Sequence, residues 1–472
     1  MAGLTGRPEP ARRAGTGPAR RAGRRAGAGR LTERPPDSRQ QAARRGWYLY
    51  GWASHVFPTI VITVFMGRYL TSVAEHAVGT HGRVHVLGLP IAPGSLFVYL
   101  VSFGTALLVL AMPVVGAIAD RTGAKREILL GFGWLAAACC VAMIAVGGGD
   151  WQLGSVLFLI AYLGYSCATV VNYALLIDVS DAGERDRVSS FGWAFAYVGG
   201  GLLLAADFVL SLFLDDKAWL ARIALCSAGL WWAVFNVLPW RLLRSLPRPQ
   251  TRPVTGSVLA AGFGQLRRTF AELAGLRVTL AFLVAFLIYN DGIQTVTTVA
   301  AQYGDKQLGL SDSVLLSAIL LVQFVAFAGA LWLGRLAGRY GARQVLIGSL
   351  LVWVALVVAA YFLTAGSALQ FYLLAMAIAL VLGGSQALSR SLFSRLIPAG
   401  REAEYFGLYE ISDSGTSWVG PLLFGLTYQL TGSYRNALGS LVVFFVLGLA
   451  LLVRVPLRAG ISQVGNALPA RV

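Results

Sequence analysis

The chain has 472 residues, of which 56% are hydrophobic and 13% charged, and its mean hydropathy is +0.66. Soluble chains carry roughly a quarter charged residues, so the composition excludes a water-soluble globular protein and indicates a polytopic membrane protein. The formal net charge of +17 suggests a nucleic acid or an anionic membrane surface as partner until it is located along the chain.

Much of that charge lies at the start. Residues 1–46 hold twelve arginines against Glu9, Glu33 and Asp37, and the stretch is rich in Ala, Gly and Pro with no aromatic residue, so it is expected to be disordered. It reads either as a nucleic-acid arm or as a cytosolic tail that touches anionic lipid. The second reading is adopted, with no nucleic acid among the expected partners. Arg44-Arg45 precedes an apolar run, but the run from Trp47 is too long for the apolar core of a signal peptide and lacks a small-x-small cleavage site. It is a first membrane helix.

A membrane helix needs about 20 apolar residues. Spans are expected at 47–70, 95–117, 127–147, 153–178, 190–214, 219–241, 275–300, 312–334, 344–366, 369–397, 403–430 and 436–456. Residues 242–274, which include RLLRSLPRPQTRP and an amphipathic stretch near 263–274, form a cytosolic linker between a first half at 47–241 and a second at 275–456. A C-terminal tail follows at 457–472. Cys139, Cys140, Cys167 and Cys226 all fall in apolar runs and form no C-x-x-C, so they read as packing residues, not as a disulfide framework or a zinc site.

Alternating the connections across a bilayer puts all but six of the 39 lysines and arginines on the side of the N-terminus. The other side keeps Arg68, Arg83, Lys217, Arg222, Lys306 and Arg435. By the positive-inside rule both termini are expected to be cytosolic, and the Arg- and Ala-rich composition suggests a bacterial plasma (inner) membrane. The expected fold class is an all-α integral membrane protein of twelve transmembrane helices.

The chain also repeats itself. GAIADRTGAKR at 116–126 aligns with GRLAGRYGARQ at 334–344, with Gly116/Gly334, Ala119/Ala337, Arg121/Arg339, Gly123/Gly341 and Ala124/Ala342 identical. Phe191-Gly192 echoes Phe406-Gly407 at the start of the fifth helix of each half. Two parallel, pseudo-symmetric six-helix halves follow.

GAIADRTGAKR resembles the signature loop of the major facilitator superfamily, G-x-x-x-D-R-x-G-R-R/K, at Gly116, Asp120, Arg121, Gly123, Lys125 and Arg126, with Ala124 where an arginine is usual. Glycines permit a tight turn there, and Asp120 at a helix end suits the positive N-terminus of a helix from the other half. The resemblance implies the major facilitator fold and a gating loop that favours an outward-open state. In the second copy Gly338 replaces the aspartate. YGWASHVFPTIVITVF (50–65), SSFGWAFAYVGGGL (189–202), IYNDGIQTV (288–296) and GGSQALSRSLFSRLIPAGREAEYFGLYEISDSG (383–415) resemble the autophagy-related vacuole effluxer-like family, with bacterial relatives. Gly51, Ser54 and His55 depart from that family's usual Asp, Asn and Ser.

Several polar residues sit inside the spans. In the seventh, Asn290, Gln294 and Thr297 share one face with Asp291 and Thr295 beside it. They read as interhelical hydrogen-bonding residues or as a cavity wall, and the wall is adopted for Asn290, Asp291, Gln294 and Thr295. In the tenth, Gly383-Gly384 permit close helix contact, and Gln386 falls near the midplane, where transporter sites lie. His55, Trp193 and Tyr197 are the first-half counterparts, together with Asn172-Tyr173. Asp207 is read as reaching water at the outer end of the fifth span. Glu410 and Asp413, spaced i, i+3, would repel each other if both were ionised. They suit either proton coupling or structural pairing with Arg390 or Arg401.

No G-x-x-x-x-G-K-[ST] occurs, so direct ATP drive is not indicated. No metal-ligand cluster and no nucleophile–base pair is legible, so neither an enzyme nor a cofactor is expected. The reading is a monomeric secondary transporter in a lipid bilayer, carrying a small organic solute by alternating access and coupled to protons. The family resemblance implies amino-acid efflux. The alternative is a transporter-like receptor or lipid-handling protein without solute turnover.

Overall fold

Backbone amides inside hydrocarbon must be satisfied within their own segment, which leaves helices as the spanning element for a chain of this pattern. The computed structural model describes residues 38–79, 82–86, 88–246, 271–414 and 419–469, and these are helical almost throughout. The first span combines α1 (Ser38–Ser54), a π-helical segment (Phe57–Phe65) and α2 (Met66–Val78). Pro58 lacks the N–H that would pair with the Ser54 carbonyl in an α-helix. The widened turn follows it, and the Thr63 hydroxyl donates to the Pro58 carbonyl at 2.8 Å. A short hairpin, β1 (Val84–Val86) and β2 (Leu89–Ile91), pairs antiparallel after this span.

The first half continues with α3 (Pro93–Thr122), α4 (Lys125–Ala142), α5 (Trp151–Val179), α6 (Arg185–Ser211), α7 (Lys217–Phe235) and α8 (Val237–Leu242). The second half holds α9 (Arg277–Lys306), α10 (Asp312–Tyr340), α11 (Ala342–Tyr361), α12 (Ala368–Phe393), α13 (Glu402–Ser414), α14 (Val419–Thr431), α15 (Tyr434–Ser440) and α16 (Val442–Arg454), followed by α17 (Leu457–Gln463). Eleven helices among the described residues are long and apolar enough to cross a membrane. Of the eleventh expected span, 403–430, α13 and α14 are described on either side of residues 415–418, which lie outside the described residues, so eleven of the twelve expected spans are described as continuous helices. Residues 247–270, most of the expected linker, lie outside the described residues.

Two boundaries differ from expectation. Residues 38–46, expected in the disordered tail, belong to α1, and Arg44 pairs with Glu184 while its Nε donates to the Val179 carbonyl at 3.0 Å. A partner 140 residues away holds this end, which local composition does not reveal. Residues 1–37 lie outside the described residues. At the other terminus, α17 buries Leu457, Gly460 and Ile461, and Asn466 Nδ2 donates to the carbonyls of Arg395 and Ile397 at 3.0 and 2.8 Å.

The halves meet where α3 and α5 pack on α13 and where α6 packs on α10 and α12. A Cβ on Gly116 would stand 2.2 Å from the Ala403 carbonyl oxygen, and one on Gly334 would stand 2.5 Å from Ser190 Cβ. The repeated glycine therefore marks, in each half, the place where the second helix crosses a helix of the other half. Gly123 ends α3 with φ 64°, a left-handed turn that a side chain would strain. Trp47, Trp232 and Trp353 are fully buried, whereas Phe213, Phe362 and Leu430 face outward, as lipid contact requires.

Candidate functional site

The end of the bundle that carries the 120–125 turn is sealed by polar contacts between the halves. Asp120 Oδ2 accepts from the Glu404 backbone N–H at 2.9 Å, one of the unpaired donors in the first turn of α13. Lys125 Nζ lies 3.4 Å from Asp120, 3.2 Å from Asp178 and 3.2 Å from Glu402. Of the other signature residues, Arg126 pairs with its neighbour Glu127 at 3.0 Å, and Arg121 is exposed. A second set of contacts lies beside these. Arg395 donates to Asp186 at 2.8 Å, Ser391 to the other Asp186 oxygen at 2.6 Å, and Ser189 to the Ala387 carbonyl at 2.7 Å. Arg185 reaches the Ser394 carbonyl at 3.4 Å.

Above this seal lies a cleft of about 40 Å³, lined by Trp47, His55, Asn172, Tyr173, Trp193 and Arg390 among others. Arg390, 4% exposed, reaches from the second half into a first-half aromatic cage. Its guanidinium carbon stands 4.8 Å from the Tyr173 ring centre, 5.1 Å from Trp47 and 5.5 Å from Trp193. Its Nε and Nη2 donate to the Ser189 hydroxyl and carbonyl at 3.1 and 3.0 Å. Trp47 is fixed by donating to the Asn172 carbonyl at 2.7 Å. His55, Trp193 and Tyr197, named from sequence, do come together, with centroids 4.9 Å apart for His55–Tyr197 and 5.7 Å for Trp193–Tyr197.

The second-half residues expected on a cavity wall lie between helices. Gln386 Nε2 donates to Asn290 Oδ1 at 2.6 Å, with both side chains buried. Asp291, 1% exposed, sits under the N-terminus of α14, where its Oδ2 accepts from Gly420 N–H at 2.8 Å and its Oδ1 has no partner. Thr295 donates to the Asp291 carbonyl at 2.7 Å. Gln294 is half-buried one turn on, and its carbonyl accepts from Thr297 and Thr298. None of Asn290, Asp291, Gln294, Thr295 and Gln386 is among the residues lining the Arg390 cleft. A helical face identified by spacing does not say whether a neighbouring helix or a cavity will cover it.

Glu410 is buried on α13 and acts electrostatically on Arg390. The side chain of Asp413 lies outside the described residues. Arg401 pairs with Glu404 and Glu272 instead. These carboxylates outweigh its burial and raise its pKa, so it stays charged. Asp207, expected to reach water, is buried with Oδ1 accepting from the Ser227 hydroxyl at 3.3 Å. Sequence reasoning missed Trp47, Ser189, Asp186 and Arg395. The last two carried a signal, since charges so near the ends of apolar spans demand partners. It also missed Gln323, which donates to the Thr59 hydroxyl at 3.1 Å across the halves.

Residues 39–465 match the family model described as "Vacuole effluxer Atg22 like". The chain is 30% identical over 433 residues to the uncharacterized MFS-type transporter YxiO of Bacillus subtilis (strain 168), covering 90% of this chain and 97% of that one. It is 26% identical over 463 residues to autophagy-related protein 22 of Yarrowia lipolytica, with 80% and 78% covered. Among solved structures, it resembles the major facilitator superfamily transporter FucP in the outward conformation, with TM-score 0.61, 13% identity and coverage of 87% and 97%. A bacterial homologue of the iron transporter ferroportin in the outward-facing state gives TM-score 0.63, 15% identity and coverage of 88% and 98%.

Proposed function

The chain belongs to the vacuole effluxer Atg22-like family, with the major facilitator fold, and from that premise we propose a specific cycle for this multi-pass transporter. It carries a small organic solute by alternating access, sealed at the Asp120 end and loaded from the opposite end in the state described. The observation that supports this most is the position of a polar, aromatic cleft directly above a seal made by both halves. The Lys and Arg distribution supports a cytosolic seal and cytosolic termini in a plasma membrane. In this reading, Asp120 and Lys125 form the gate, and breaking their contacts with Glu402 and Glu404 opens the cytosolic side.

Amino-acid efflux is the proposed physiological direction, on the strength of the family. Proton coupling is assigned to Glu410 together with Asp413. Glu410 bears on Arg390, so its protonation would change the charge balance at the base of the cleft. The test is reconstitution in proteoliposomes with a panel of amino acids, with and without a pH gradient. The expected result is solute flux that responds to the gradient. Absence of flux for every solute would leave the non-transporting receptor as the better reading, and flux indifferent to pH would remove the coupling alone.

A further inference from the structure

A guanidinium inside a membrane bundle is costly unless its charge and its donors are met. Arg390 has five N–H donors. Its Nε and Nη2 are engaged by Ser189, and Tyr173 offers its hydroxyl. The residue nevertheless lines the cleft. Two further polar groups at the same cleft lack partners: Asn172 Oδ1 and Trp193 Nε1 are both buried without a hydrogen bond. Buried polar atoms are nearly always paired, so such a cluster calls for a ligand or water. Beside the guanidinium charge of Arg390, the cleft offers the unpaired indole N–H of Trp193, and a positive charge next to a free donor suits a carboxylate. The Asn172 oxygen adds one acceptor for a donor on a neighbouring atom of the same solute.

We propose that the cleft between Trp47, Asn172, Trp193 and Arg390 binds the carboxylate group of the solute, with Arg390 as the counter-charge supplied by the second half to a pocket of the first. This rests on the transporter reading and names the solute class. The small volume and the ring walls favour a planar carboxylate over a tetrahedral phosphate. Binding there also ties α12 to α1, α5 and α6, so occupancy is registered by both halves.

The test uses the full chain purified in detergent and follows thermal unfolding with propanoate, L-alanine, L-alaninamide or inorganic phosphate at millimolar concentration. Both carboxylates are expected to raise the midpoint, while alaninamide leaves it unchanged. Arg390→Lys keeps the charge, and with it the fold, but loses the fork, and is expected to bind the carboxylates about 10-fold more weakly. Asn172→Leu should remove the advantage of alanine over propanoate. The proposal fails if no carboxylate stabilises the protein, if alaninamide does so as well as alanine, or if phosphate outperforms both acids. Wild-type affinity in Arg390→Lys would also overturn it. Solute flux in proteoliposomes without any acid-over-amide preference would overturn this assignment while leaving the transporter reading intact.

Discussion

Asp291 and Arg390 are both buried ionisable groups inside spans, yet their surroundings separate them. Asp291 meets the first-turn N–H of Gly420, so its carboxylate acts as a cap borrowed from another helix, and such caps contribute about 1 kcal/mol. Asp291→Asn keeps a carbonyl oxygen for that bond and should leave expression and the unfolding midpoint near wild type. Asp291→Ala should cost about 1–2 kcal/mol, read by thermal unfolding in detergent; equal stability of the two variants would remove the capping role. Glu410 touches the charge balance of Arg390 instead. Glu410→Gln is expected to abolish accumulation driven by a pH gradient while solute counterflow persists, and retention of gradient-driven uptake would assign coupling elsewhere.

At the scale of elements, the first span and the crossing glycines carry the mechanics. The π-helical stretch after Pro58 leaves the Ser54 carbonyl without its α-helical donor at the edge of the cleft, and such stretches often mark functional positions. Pro58→Ala restores the donor. It should stabilise the fold by about 1 kcal/mol and slow transport, with both effects measurable on one preparation. Gly116 lies where α3 crosses α13, and a Cβ there would clash with the Ala403 carbonyl. Gly116→Val therefore acts by overpacking, at about 1–3 kcal/mol, against the sealed state. A cysteine placed at Ala387 should then react faster with a maleimide, over a low background because all four native cysteines are buried.

At the scale of the molecule, polar contacts between the halves concentrate at one end, and the cleft lies immediately above them. Such a seal divides into two parts, the Asp120–Lys125–Glu402–Glu404 group and the Asp186–Arg395–Ser391 group. Only the first was announced by the signature GAIADRTGAKR. The second depends on α6 and α12 packing side by side, through residues more than 200 apart in the chain, and no local pattern encodes that distance.

Apolar runs of membrane length, the alternation of basic residues and the echo of Gly116 in Gly334 pointed to the spans and the two halves, because each is a local consequence of hydrocarbon solvation or of a tight helix crossing. The family was legible only as a resemblance of motifs such as GAIADRTGAKR and IYNDGIQTV. The same information named His55, Trp193 and Tyr197 as cavity candidates and Arg390 as a partner for Glu410 or Asp413. It did not decide which of them share a cavity. Spacing along a helix fixes a face but leaves open what covers it, so Asn290 and Gln386 were indistinguishable from cleft residues until their mutual 2.6 Å hydrogen bond was seen. Only tertiary packing placed Asp291 under α14 and held Arg390 in a cage from the opposite half, since both depend on contacts between segments that the chain itself keeps far apart.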